Sequence, residues 1–319
     1  MYIAFLSPVV IAFLVAYLYP VCRTVQMSFF EVSDISSSRD TWNFVGLYNY
    51  KDLFSRQLFL VSFRNMLLIF LVGGAFVFLI SLFFAWVLHK GMFMGSFWRN
   101  LIYLPTVITP VAMITVWTQY VYNNRYGLLR TIFEALGLDA LANIPWTSTQ
   151  YAFWSMLIAY IFCSIGGNLL VYMAAMKKVP EELYEAAKVD GAGFWQTQWS
   201  ITLPLLAPTL RIWVFLSMIG SLQLFDLVNI IWGSYISETA GVSTMATYMV
   251  RNGRDSGNYG YGSAVAIIIF IISLVVALVY QKFVLNRDLE GALTEQKQAK
   301  KRAAKRAKEA QRLAASEVK

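Results

Sequence analysis

Apolar residues in this chain fall in long unbroken runs, not in the one-sided or alternating patterns of a soluble fold. Six runs occupy residues 2–22, 66–88, 101–121, 151–176, 205–232 and 263–285. Each matches the roughly 20 residues that a helix rising about 1.5 Å per residue needs to cross a bilayer core of about 30 Å. The runs 66–88 and 263–285 contain no Asp or Glu, and 101–121 contains Pro105 and Pro110. Run 205–232 holds Arg211 and Asp226 near its two ends, where long or water-facing side chains are tolerated. The pattern predicts an all-α integral membrane fold of six transmembrane helices. The first run stands where a signal peptide would. It has no basic segment before it, no small-residue cleavage site, and too great a length for a signal core, so it reads as a helix.

Composition agrees and removes other classes. Of 319 residues, 58% are hydrophobic and only 14% charged, where a soluble domain has about 25% charged. Cys22 and Cys163 show no metal or disulfide spacing and read as buried, inert thiols. The single His89 has no ligand partners at metal-binding spacing and reads as an interfacial residue, so no metal site is expected.

Charge sets the expected orientation. Six crossings put both termini on one side, and the tail 286–319 carries ten Lys and Arg against five acids. Basic excess marks the cytoplasmic side, so both termini are expected inside. Residues 89–100 and 177–204 hold five bases in 40 positions, and the opposite loops 23–64, 122–150 and 233–262 hold nine in 101, a weaker signal than the tail. No aromatic residue interleaves the tail's charges, so it reads as a segment near anionic lipid and not as a nucleic-acid binder.

The segment 179–204 between the fourth and fifth runs is expected to fold as a helix, a turn and a second short helix. Pro180 suits a first helical turn, and Glu181 and Glu182 follow at the positive end of the helix dipole. Asp190-Gly191 ends the helix, with the glycine free to turn left-handed. Leu183, Ala186 and Ala187 are spaced as one face, with Tyr184 and Glu185 beside it. So small a projection cannot bury such a face alone, which calls for a partner.

The string Glu185-Ala-Ala-x-x-Asp-Gly-Ala, with Ile201-x-Leu-Pro204 and Pro208, resembles the EAA loop of binding-protein-dependent ABC importer permeases. The preceding Val179-Pro-Glu-Glu-Leu-Tyr184 is similar to the carbohydrate branch of maltose and glycerol-phosphate type. Phe44-Val-Gly-Leu-x-Asn-Tyr-x-Asp-Leu-Phe54, Leu104-Pro-Thr-Val-Ile-Thr-Pro110 leading to Trp117, Tyr126-Gly-Leu-Leu129, Phe225-Asp226 and Tyr259-Gly-Tyr-Gly-Ser-Ala264 all resemble the larger permease subunit. Where relatives commonly carry Gly-Gly-Pro after the fifth span, this chain reads Trp232-Gly-Ser-Tyr235.

The resemblance implies the type I ABC importer permease fold and a non-catalytic multi-pass subunit of the bacterial cytoplasmic (inner) membrane. It implies a second permease, two ATPase subunits that bind ATP and Mg, an extracytoplasmic solute-binding protein and a carbohydrate substrate. Glu185, Ala186, Ala187, Asp190 and Gly191 would couple to the ATPase. The sugar-lining stretches of maltose-type permeases correspond here to Tyr160, Ser164, Gly167 and Asn168 in the fourth span, and Ser217, Gly220 and Ser221 in the fifth. Small residues at helical spacing also serve close packing, so both roles stay open for the glycines and serines. Gln223 and Asn229 are alternatives nearer the outside, and Trp154, Tyr160 and Tyr172 offer aromatic faces. A polyol or glycerol-phosphate-type solute is the alternative cargo. An ion-coupled secondary transporter is the alternative class, weakened because the spans hold only Arg211 and Asp226 and no relay of carboxylates.

Overall fold

In hydrocarbon no water can satisfy peptide groups, so an apolar run that crosses must pair them within its own helix. The computed structural model obeys this over the residues it describes, 2–36 and 39–285; the basic tail 286–319 lies outside them. In chain order the helices used below are α1 (Leu6–Met27), α2 (Tyr48–Ser55), α3 (Gln57–His89), α4 (Gly95–Val107), α5 (Pro110–Val121) and α6 (Leu128–Ala135). Then come α7 (Ala152–Met176), α8 (Glu181–Val189), α9 (Phe194–Thr197), α10 (Leu203–Leu222), α11 (Asp226–Thr239), α12 (Met245–Val250) and α13 (Tyr259–Val284). Five stretches are long and apolar enough to cross a membrane: α1, α3, α7, Phe194–Trp232 and α13; the bent pair α4–α5 makes a sixth.

The spans differ from the sequence reading in ways that have local causes. The second begins at Gln57, not residue 66, because Phe59, ahead of the apolar run, packs with Leu53, Tyr248 and Tyr261 in the cluster that Met66 also joins. The third is not one helix: α4 and α5 meet at 103°. Proline disfavours helical backbone in the residue before it, and Ile108 and Thr109 are accordingly extended (ψ 136° and 142°) ahead of Pro110. Pro105, by contrast, is accommodated inside α4. The fifth stretch starts at Phe194 and is interrupted at 223–225, so Asp226 opens α11 at the positive end of its dipole. The first runs past Arg23, whose guanidinium lies 4.4 Å from the centre of the Trp42 ring. Of the cysteines expected to be buried, Cys22 is exposed and Cys163 half-buried.

Lipid is as apolar as leucine, so helices associate through close packing and polar contacts more than through water exclusion. Leu82, Ala85 and Trp86 of α3 interlock with Leu169, Tyr172 and Met176 of α7 and with Leu206 and Leu210 of α10. Helix α4 crosses α7 at Gly166, where a Cβ would lie 2.6 Å from Thr106 Oγ1 and 2.7 Å from the Ile102 carbonyl oxygen. At one end of the bundle the ribbon of β1 (Phe30–Glu31) and β2 (Asn43–Phe44), antiparallel with Phe30 opposite Phe44, docks on α13: Tyr259 N–H donates to Val32 O at 2.8 Å. There Asn65 Nδ2 donates to Gly241 O (2.7 Å) and Ser243 O (3.0 Å), tying α3 to the segment before α12. At the other end sits α8–α9.

Candidate functional site: a polar cavity and a two-helix loop

A cavity of about 550 Å³ opens between α3, α7 and α10, lined by Phe78, Tyr160, Ser164, Asn168, Ser217 and Gly220 among others. Of the residues expected to face substrate, Tyr160, Ser164, Asn168, Ser217 and Gly220 do line it. Gly167 and Ser221 do not. Ser221 is buried (1% exposed) and its Oγ donates to Met218 O at 2.7 Å, and Gly167 faces the Thr106 methyl, 3.5 Å from where its Cβ would be. The close-packing role anticipated for Gly167 belongs instead to its neighbour Gly166. Asn168 is fixed at both ends of its amide, with Oδ1 accepting from Trp213 Nε1 and Nδ2 donating to Ser164 O. The α3 wall, including Phe70, Leu71, Gly74 and Phe78, lies outside the stretches expected to face substrate. Its only sequence signal is the paired Gly73-Gly74 in mid-span. Thr106 of α4 also lines the cavity, its hydroxyl donating to Cys163 O at 3.1 Å.

A second cavity of about 330 Å³ shares Thr106, Tyr160, Cys163, Ser164 and Gly220 with the first and extends it to Pro110, Gln223, Phe225 and Asp226. Both helix interruptions, 108–109 and 223–225, therefore border the second cavity, and the two adjoining cavities make up the candidate path. Non-helical backbone at membrane depth is tolerated where it is buried in protein or lines a wet cavity, and both breaks meet that condition. Thr244 Oγ1 donates to Leu224 O at 2.7 Å, satisfying a carbonyl freed by the second break. Gln223 lines the path; Asn229 does not. Neither cavity's lining contains Lys, Arg, His or Glu, and Asp226 at the far end of the second is its one carboxylate.

The two-helix loop is held by its own backbone. Pro180 precedes α8 as its cap residue, and Asp190 ends the helix. Gly191 takes φ +75°, its N–H donates to Lys188 O (3.2 Å), and Ala192 N–H donates to Ala187 O (2.9 Å). Those paired bonds are the Schellman closure that a left-handed residue permits. The face expected from Leu183, Ala186 and Ala187 is split: Ala187 turns inward and is buried, whereas Leu183 and Ala186 look outward with Glu185 and Val189. Asp190 and Gly191 are exposed as well. Inward contacts pin the loop to the end of α3. Tyr184 OH and Thr202 Oγ1 share a hydrogen bond of 3.2 Å, and the Tyr184 ring lies 6.0 Å from His89. Trp86 meets both Trp195 and Trp199 edge-on at 5.9 Å, and Lys90 Nζ lies 5.0 Å from the Phe194 ring centre. Helix α3 thus runs from this joint to the cavity wall at Phe78 and Gly74. Among the described residues no group of three His, Cys, Asp or Glu side chains is placed to hold a metal ion.

Residues 58–287 match the family of binding-protein-dependent transport system inner membrane components. Over 269 residues the chain is 34% identical to an osmoprotective compounds uptake permease protein of Synechocystis, spanning 82% of this chain and 90% of that protein. It is 30% identical over 240 residues to the trehalose/maltose transport system permease protein MalF of Thermococcus litoralis, spanning 75% and 79%. A chain from the crystal structure of a bacterial ABC transporter that imports the acidic polysaccharide alginate is similar in fold, with a TM-score of 0.74 at 23% identity, over 88% of this chain and 95% of that one. The family match takes in both helix breaks, the cavity and the two-helix loop, and this chain belongs to the binding-protein-dependent inner-membrane permeases of ABC importers.

Proposed function

We propose that this permease forms half of the translocation path of a carbohydrate importer, paired with a second permease. Two ATPase subunits, binding ATP and Mg, drive it, and an extracytoplasmic solute-binding protein delivers the substrate. The chain itself is non-catalytic, as its family is. Both termini and the two-helix loop face the cytoplasm on the charge argument, and Glu185, Ala186, Asp190 and Gly191 contact the ATPase. Ala187 serves the joint from its inner side.

The observation that carries the carbohydrate reading is the cavity lining. Tyrosine rings stand beside Ser164, Asn168 and Ser217, and the main cavity offers no charged side chain. Hydroxyl and amide groups around a largely apolar concavity fix the orientation of a neutral polyhydroxylated solute. A phosphorylated solute would call for cations that this half of the path does not supply. The trehalose/maltose relative supports the same class.

The test is uptake by proteoliposomes holding both permeases, the ATPase and the binding protein. ATP is expected to drive uptake of a neutral oligosaccharide, and an imposed proton or sodium gradient is not. Gradient-driven uptake by this subunit alone would overturn the reading.

A further inference from the structure

A third cavity, also of about 550 Å³, lies at the ribbon end of the bundle and shares no lining residue with the two cavities of the path. It is walled by Thr118, Gln119, Tyr122, Asn124, Arg125 and Tyr126, among others. Its rim is a loop with almost no freedom. Tyr122 is buried, with its N–H donating to Trp117 O (2.8 Å), its hydroxyl donating to Ser155 O (2.7 Å) and its ring stacked on Trp146 at 6.0 Å. Asn123 Oδ1 accepts from the N–H groups of both Arg125 (2.9 Å) and Tyr126 (3.3 Å). Gly127 N–H closes the turn on Asn123 O at 2.9 Å, so tightly that a Cβ at Gly127 would overlap that oxygen. Arg130 clamps the outer side, donating to Asn124 O (2.5 Å) while paired with Glu134 (2.7 Å).

All this order presents Arg125 and Tyr126 to solvent, beside the exposed Asn124. Tyr126 is 64% exposed, and Arg125 is exposed and takes part in none of the ion pairs formed among the described residues. No Asp or Glu lines the cup. Tyrosine and arginine are the side chains that most often dominate protein interfaces. A rim already fixed loses little conformational entropy when a partner docks. A guanidinium left without a carboxylate, beside an open polar cup, fits an acidic side chain brought by another protein.

We infer that the 122–127 rim is a preformed docking platform for an acidic segment of the external solute-binding protein. Arg125 supplies the charge and Tyr126 the contact area. The inference rests on the importer reading above, and on this end of the bundle facing outward. The cup's separation from the path argues against a subsite for the transported solute.

The experiment uses the complete complex in proteoliposomes and titrates the solute-binding protein against ATP hydrolysis. Arg125→Glu is expected to raise the binding-protein concentration for half-maximal stimulation about tenfold, as removal of roughly one charge-assisted hydrogen bond would. Arg125→Lys should recover part of that loss, and Tyr126→Ala should raise the same concentration several-fold. The wild-type value should rise with salt more steeply than that of Arg125→Glu. Hydrolysis without binding protein, and co-purification of the second permease and the ATPase, should match wild type. An unchanged half-maximal concentration in both Arg125→Glu and Tyr126→Ala overturns the platform. Failure of the second permease to co-purify with these variants also overturns it, placing the rim at the permease pair's own interface. If the wild-type complex shows no stimulation by any binding protein, the importer reading itself fails, which is a distinct result.

Discussion

Replacing Gly191 with valine tests the two-helix loop through backbone conformation alone. The residue sits at φ +75°, and nothing lies within 4 Å of the position its Cβ would take, so no clash contributes. Left-handed backbone costs an L-residue roughly 1–2 kcal/mol, and a β-branched side chain makes it a genuine outlier. Relaxing φ would break the bonds from Gly191 N–H to Lys188 O and from Ala192 N–H to Ala187 O, each a net contribution of about 0.5–1.5 kcal/mol. The variant therefore either keeps the strain or reorients α9 relative to α8. A penalty of about 1–2 kcal/mol shifts the balance between the native loop and its alternatives by about 5–30-fold. The loop projects from the bundle end, so assembly of the two permeases should be unaffected. Co-purification of the ATPase and binding-protein-stimulated hydrolysis are the measurements, with Gly191→Asn as the control because asparagine tolerates the left-handed region. Gly191→Val should lose most coupling and Gly191→Asn little. Wild-type docking and stimulation in Gly191→Val would refute the claim that this turn sets the coupling geometry.

Other substitutions probe separate links. Gly220→Leu points a side chain into the path from a position with no atom within 4 Å; replacing helical glycine also removes a cost of about 1 kcal/mol. Uptake should fall sharply while the complex stays as heat-stable as wild type, as read by size-exclusion thermal scans. Trp86→Ala empties the joint between α3 and α9 and should cost about 3–5 kcal/mol of local packing, lowering transport per ATP hydrolysed. Trp86→Phe should be near neutral, because Trp86 Nε1 has no hydrogen-bond partner to lose. Gly166→Val drives a side chain into Thr106, Ile102 and Tyr103 and should prevent recovery of a folded complex from detergent.

How far the sequence can be read follows from what each feature depends on. The two-helix loop is legible because its determinants are local: Pro180 before the helix, Asp190-Gly191 after it, and a left-handed residue where glycine stands. The break at Thr109-Pro110 carries its signal too. Pro105, in the same run, leaves its helix intact, so proline alone does not announce a 103° bend. Both prolines line the path that Thr106, Tyr160 and Gln223 also line, and what separates them is the backbone ahead of each: helical before Pro105, extended at 108–109 before Pro110. Only the assembled helices create that path.

Helix phase is the harder quantity, and membrane physics says why. In a soluble helix the buried face is the apolar one, so the sequence itself marks which way each residue points. In a span such as α7 the lipid face and the packed face are equally apolar, and polarity marks neither. The exposed Trp154, Ile158 and Phe162 alternate with the buried Ala152, Met156 and Ala159 without any change in character. The signal that remains is the few small polar residues. It places Ser164, Asn168 and Ser217 on the cavity, yet cannot distinguish Gly166 from Gly167, which differ by about 100° around the helix. That 100° decides the packing, because one glycine admits α4 to within contact of α7 and the other faces only the Thr106 methyl. The second-span wall is hidden for the same reason. Phe70, Leu71 and Phe78 look like lipid-facing residues until α7 and α10 are in place opposite them.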